Sequence, residues 1–193
     1  MYILDDVSET IYTSSHGKPS RGLLTFVEQE MENDSRFRIS VIQEKRLENH
    51  VIEKICANVR SKIPMLQYHV ILLGGNNLRY NEESVESYMA KCDSLVQRFR
   101  AFPNAKLVFV SLIPSPKTHH ICQTTFNAVN LQLQTLILPH QRFASFLNVN
   151  DIFLPNGRIN HALFSDGIHL KINGTQMIAH AISKHVKASE FQR

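Results

Sequence analysis

Val70-Ile71-Leu72-Leu73-Gly74-Gly75-Asn76-Asn77 decides how this chain folds. Four aliphatic residues in succession read as a strand buried on both faces. The Gly-Gly-Asn-Asn that follows stops the strand, because glycine turns a chain sharply and asparagine accepts turn conformations. From Val85 the apolar period changes. Val85, Tyr88, Met89, Cys92, Leu95, Val96 and Phe99 recur at i, i+3, i+4 and i+7, the stripe of an amphipathic helix. Strand, turn and helix in that order make one parallel βα unit.

The unit repeats on either side. Strands are expected at 39–42, 107–113 and 143–149, with a weaker first strand at 10–14. Leu23, Leu24, Val27 and Met31 form a first helical stripe, with Ser20 as its N-cap. Further helices are expected near 47–59 and 124–138, the second ended by Pro139, and a last one carries Gly174, Met177, Ile178, Ala181, Ile182 and Val186 on one face. This alternation predicts a three-layer α/β/α domain around a five-stranded parallel sheet. The whole of 1–193 reads as one domain, with 1–9 an irregular N-terminal extension. Sites in such sheets lie at the carboxyl ends of the strands. Five loops therefore carry the chemistry: 14–21, 43–46, 74–81, 114–121 and 150–171.

Composition excludes several classes. At 43% hydrophobic and 20% charged residues, the chain has the make-up of a packed domain rather than a disordered one. The net charge of +4 points to a polyanion only where cations share a face. Cys56, Cys92 and Cys122 are odd in number and far apart, which argues against a disulfide framework or a cysteine zinc site, and Cys92 on the helical stripe reads as a buried thiol. Reduced thiols suit the cytoplasm. The acidic start (Asp5, Asp6, Glu9) has no apolar core of a secretion signal, and no run is long enough to span a membrane. His119, His120 and His161 lack the spacing and carboxylate support of zinc ligands, so neither metal nor cofactor is expected.

Two motifs carry chemistry. In Gly74-Gly75-Asn76-Asn77 an asparagine side chain at a strand end offers a donor to a developing oxyanion. In Asp166-Gly167-Ile168-His169 a carboxylate three residues before an imidazole orients it and stabilises its protonated form. With Leu163-Phe164-Ser165 before this pair and Asn173-Gly174-Thr175 after it, the segments together resemble the SGNH, or GDSL-like, hydrolase family. Gly74 to Asn77 is similar to that family's Gly-x-Asn-Asp block, with Asn77 in place of aspartate. Asp166 to His169 is similar to its Asp-x-x-His block, and Leu112-Ile113-Pro114 also matches. The resemblance implies Ser15 as nucleophile, Asn76 as oxyanion donor, His169 as base and Asp166 as its orienting carboxylate.

The first two blocks depart from the family. Thr13-Ser14-Ser15-His16 lacks the Gly-Asp that should precede the serine, as does a rival placement at Asp6-Val7-Ser8. The loop after the second strand, Gln43-Glu44-Lys45-Arg46-Leu47, lacks the glycine whose N–H completes the oxyanion hole. Losing one such donor costs about 10²–10³ in kcat. The expectation is therefore a degenerate hydrolase without catalysis, set against a serine esterase or acetylhydrolase using Ser15, Asp166 and His169. A narrower resemblance is to the C-terminal domains of insect germ-plasm organisers, carried by Arg36-Phe-Arg-Ile-Ser-Val-Ile-Gln-Glu-Lys-Arg46 and His50-Val-Ile-Glu-Lys-Ile-Cys56. That resemblance implies binding of single-stranded or structured maternal mRNA, protein partners of the germ plasm, and cytoplasmic ribonucleoprotein granules. It implies no membrane and leaves the oligomeric state open. The residues assigned to RNA are Lys18, Arg21, Lys45, Arg46, Arg79, Arg158 and Lys171, with Lys117 and His16, His119, His120 and His161 on the same edge.

Overall fold

The computed structural model describes residues 7–13, 37–43, 46–59, 67–79, 83–117 and 120–190, together with Leu23, Phe26, Val27 and Gln29, which are helical. In chain order the elements are β1 (Val7–Thr13), β2 (Phe37–Gln43), α1 (Asn49–Asn58), β3 (Gln67–Leu72), α2 (Gly75–Arg79), α3 (Val85–Phe99), β4 (Ala105–Val110), α4 (His120–Ile137), β5 (Ala144–Leu147), α5 (Asn150–Phe153) and α6 (Ile172–Glu190). The sheet runs β2-β1-β3-β4-β5 and every pairing is parallel. Strand order reverses at β1 and β3, so the crevice of a doubly wound sheet opens at their carboxyl ends.

Each face of the sheet has its own core. On one, α1, α3 and α4 bury Val51, Ile55, Leu95, Phe99, Phe126 and Leu133 against Ile71, Leu107 and Phe109. On the other, Leu23 and Val27 join Ile178, Ile182 and Val186 of α6 against Tyr68, Val70, Val108 and Val110. Strand β3 is buried along its whole length, which is why it reads as an unbroken apolar run. Helix α3 follows its stripe as expected, with Tyr88, Cys92, Leu95, Val96 and Phe99 buried and Ser84 capping the N-terminus by accepting from Ser87 N. Burial pushes the Cys92 thiol up to about 12, so it is an inert core residue.

Several expectations need correction. Strand β1 begins at Val7, so residues 7–9 belong to the sheet rather than to an extension: Val7 lies opposite Phe37, and Ser8 is flanked by Arg38 and Gln67. Ladders on both sides satisfy a backbone whose side chains (Ser8, Glu9, Thr10) carry little apolar signal. Strand β4 stops at Val110 rather than 113. There Asn130 of α4 replaces the ladder, accepting from Leu112 N at 2.7 Å and donating to Leu112 O at 3.1 Å. The loop expected at 74–81 contains α2, and α4 starts at His120, four residues early. Met177 does not share the buried face of α6: it is 43% exposed, one position and about 100° round from Ile178.

The core also holds a histidine. His69 of β3 is fully buried, its ring edge-on to Phe99 with centroids 5.2 Å apart. Burial holds its pKa down at about 4, against 6.5 for an ordinary imidazole. The unfolded chain takes up the proton first, so the stability His69 contributes is present above pH 6.5 and is lost as pH falls towards 4. The difference corresponds to at most about 3 kcal/mol. The expected result is a urea midpoint that drops between pH 7 and pH 5, and a smaller drop in His69→Leu. An equal drop in both proteins would place the acid sensitivity elsewhere.

Candidate functional site at the carboxyl edge

Asp166 and His169 meet in a turn closed by an antiparallel bridge between Phe164 and Leu170. Asp166 Oδ1 accepts from the backbone N–H of Ile168 at 2.9 Å and of His169 at 2.7 Å, and Oδ2 lies 2.6 Å from His169 Nδ1. These bonds, the His169 amide foremost, hold the Asp166 carboxyl well below the ordinary carboxylate range. A carboxylate at Nδ1 fixes the neutral tautomer that carries its lone pair on Nε2, the arrangement of a general base. Both side chains are about half exposed. Gly167 makes the turn possible at φ +84°, and its carbonyl accepts from Lys117 N at 2.9 Å. A Cβ on Gly167 would lie 2.9 Å from Lys117 Cγ, so the lysine stem lies across the turn that presents His169.

The second motif works differently from expectation. Asn77, 1% exposed, is a latch between loops. Its Oδ1 accepts from Leu47 N at 3.1 Å, and its Nδ2 donates to Leu47 O at 3.3 Å, Glu48 Oε1 at 3.4 Å and Glu83 Oε2 at 2.5 Å. The side-chain amide thus pairs with the Leu47 backbone as a neighbouring strand would. It also ties the loop after β2 to the loop after β3. Asn76, its neighbour on α2, is half-buried.

Beside the latch lies a polar cleft of about 350 Å³, lined by Arg46, Glu48, Asn77, Glu83, Ser87 and Lys91 among others. Lys91 Nζ bridges Glu48 Oε2 at 2.8 Å and Glu83 Oε1 at 2.7 Å, and Ser87 Oγ donates to Glu83 Oε1 at 2.7 Å. Burial works against the Glu83 charge, but bonds from Lys91, Ser87 and Asn77 outweigh it and keep the carboxyl below its usual value. Sequence reading missed Lys91 and Glu48. The available signal was the spacing of four between Ser87 and Lys91, which places them on one side of α3, with Glu83 just before the helix cap at Ser84.

Of the other expected residues, Arg158, Lys171 and Lys117 are exposed, in the loop after α5, immediately before α6 and after β4 respectively. Arg46 is half-buried in the cleft, and Arg79 is half-buried at the end of α2, where its carbonyl accepts from Cys122 Sγ. His161 is exposed in a single 3₁₀ turn, and His120 opens α4. Ser15, Lys18, Arg21, Lys45, His16 and His119 lie outside the described residues. The rival nucleophile placement is corrected: Ser8 is the second residue of β1, at the amino end of the sheet, whereas the strand delivers its carboxyl end at Thr13, two residues before Ser15. Among the described residues no helix is long and apolar enough to cross a membrane.

No protein-family model and no curated protein matches this chain. Solved structures do. A member of the lipolytic protein G-D-S-L family from Veillonella parvula aligns over 92% of this chain and 97% of its own, with a TM-score of 0.76 and 12% identity. TesA aligns over 94% and 99%, with a TM-score of 0.70 and 16% identity. An acetylxylan esterase from Geobacillus stearothermophilus, Axe2, aligns over 94% of each chain, with a TM-score of 0.69 and 11% identity. The chain therefore has the α/β fold of SGNH or GDSL-like lipases and esterases, built on a parallel sheet.

Proposed function

We propose that this chain is a catalytically idle SGNH-type domain, of the kind found at the C-terminus of Oskar, that binds RNA through the carboxyl edge of its sheet. The supporting observation is how charge is disposed on that edge. Its described acids are mostly engaged internally: Asp166 with His169, and Glu83 and Glu48 with Lys91. Arg158, Lys171 and Lys117 stand exposed without an ion pair among the described residues, and of the exposed described acids near them Asp166 is paired with His169, leaving Asp151. Cations so placed track a phosphate backbone, and half-exposed His169 and exposed His161 add rings on which unstacked bases sit. The missing Gly-Asp before Ser15 and the Lys45-Arg46 pair in place of a glycine favour this reading over ester chemistry. Maternal mRNA in cytoplasmic germ-plasm granules is the substrate and setting that the Oskar resemblance implies.

Fluorescence anisotropy with a labelled single-stranded RNA over a salt series tests the proposal. Arg158→Glu and Lys171→Glu should each weaken binding several-fold and flatten the log–log salt slope by about 0.7. Lys184→Glu, an exposed change late in α6, should leave both unchanged. Absence of binding near physiological salt would overturn the reading.

One observation favours a second reading: the 2.6 Å Asp166–His169 bond is the geometry of a working base. A serine esterase would label with a fluorophosphonate at Ser15 and lose the label in His169→Ala. No labelling and no turnover of short-chain esters would end that alternative.

A further inference from the structure

The polar cleft beside Asn77 is not used by the exposed cations of the same edge, yet its walls are organised for a ligand. It opens between the N-termini of α1 and α3, both of which lie at the carboxyl edge of the sheet. Glu48 is the N-cap residue of α1, and its side chain makes no capping bond. A carboxylate there ordinarily accepts from the helix's own amides. This one turns to Lys91 of α3 instead, 2.8 Å away. The two carboxylates of the cleft are filled to different degrees. Glu83 is 8% exposed and accepts from Lys91, Ser87 and Asn77. Glu48 is 39% exposed and, among the described residues, has one good bond, from Lys91 to Oε2, with Asn77 Nδ2 at 3.4 Å from Oε1. A carboxylate has about four acceptor positions, so each oxygen of Glu48 can accept once more.

The charges of the cleft indicate what fits it. Arg46 and Lys91 balance Glu48 and Glu83. An ammonium already stands between the two carboxylates, so a second cation has no place there, and the carboxylates oppose a bare anion. A neutral ligand with donors and acceptors on one flat edge suits such walls. The volume of about 350 Å³ is at the small end of ordinary ligand pockets, room for one base with its sugar. Of the four RNA bases only guanine carries two adjacent donors, N1–H and N2–H₂, to lay on the two oxygens of one carboxylate. Adenine sets a donor beside an acceptor, uracil offers one N–H between two acceptors, and cytosine has a single amino group. Guanine O6 lies next to N1, and the Lys91 ammonium has a third N–H beyond the two given to Glu48 and Glu83. Arg46 adds a guanidinium, a surface on which a base stacks.

We propose that this cleft takes a single unpaired guanine, with Glu48 accepting from N1–H and N2–H₂ and Lys91 donating to O6. Resting on the RNA reading above, this site adds base selection to it. Exposed cations hold phosphates and carry no sequence information, whereas bonds to a base edge do.

Fluorescence anisotropy on the intact chain tests this with three labelled single-stranded RNAs of equal length: uridine only, uridine with a few guanines, and the same with inosine for guanine. The guanine RNA should bind about tenfold tighter than the uridine RNA, the discrimination of one bidentate base contact. Inosine lacks the N2 amino group and should lose most of that gain, a readout that needs no change to the protein. Glu48→Gln keeps an acceptor for Lys91 but sets an amide donor against the donors of guanine, so the guanine and uridine RNAs should then bind alike. Equal binding of both RNAs by the wild-type chain overturns the guanine site and leaves the RNA reading standing, and a guanine preference that survives Glu48→Gln overturns it too. If neither RNA binds, the RNA reading falls, and calorimetric titration with guanosine monophosphate decides the cleft. Saturable binding lost in Glu48→Gln then supports a guanine site for a free nucleotide, and no binding overturns it.

Discussion

Gly74→Ala is expected to remove a large share of the stability of the fold. Gly74 ends the β3 segment at φ +108°, a conformation that L side chains rarely adopt, and a Cβ there would fall 2.4 Å from Tyr88 Cζ and Oη. The Tyr88 ring cannot move aside. It is 1% exposed in the core, and its hydroxyl donates to Leu73 O at 3.0 Å. Backbone strain of about 1–3 kcal/mol adds to overpacking of about 1–3 kcal/mol. Against a typical total of about 5–15 kcal/mol this is a large share. Gly157→Ala is the matched control, because Gly157 has φ +74° but nothing within 4 Å of the added Cβ. Urea midpoints should separate the two variants widely. Equal losses would mean that backbone conformation alone, and not the Tyr88 contact, makes glycine necessary at 74.

Asn77→Asp should be the next most damaging change, although it restores the residue type that the SGNH resemblance implies at this position. Asn77 Nδ2 donates towards oxygens of Leu47, Glu48 and Glu83. An aspartate keeps the bond from Leu47 N but sets a buried carboxylate against those three oxygens. Breaking a buried network in this way costs about 3–5 kcal/mol. The repulsion raises the folded-state pKa of the new carboxyl above its unfolded value, so the penalty is full at high pH and shrinks as pH falls and the group takes up a proton. The wild-type-minus-variant difference in unfolding free energy should therefore be smaller at pH 5 than at pH 8. A difference of the same size at both pH values would show that no charge is being buried. The same network accounts for asparagine in this chain, because Glu48 and Glu83 already supply the carboxylates held by Lys91.

Much of the fold is legible from hydrophobic period alone. The continuous run at 70–73 and the stripe from Val85 to Phe99 specify a βα unit, since one requires two covered faces and the other a single buried stripe. The short elements are not legible. Helix α2 begins Gly-Asn-Asn, a poor helix sequence, and exists because Asn77 is bonded to residues thirty positions earlier. Strand β1 shows little apolar pattern at Ser8, Glu9 and Thr10, because its place is secured by ladders on both sides. The end of β4 is set by Asn130, eighteen residues away.

The candidate site divides along the same line. Asp166-Gly167-Ile168-His169 is a local device: three residues of separation and one glycine suffice to form the carboxylate–imidazole bond, so the sequence by itself determined it, along with the parallel sheet and the edge where it sits. The role of Asn77, the Glu48–Lys91–Glu83 bridge and the cleft beside them were decided only by the tertiary structure. Each depends on which distant loop or helix ends up alongside, and hydrogen bonds between side chains far apart in sequence leave no periodic trace in it.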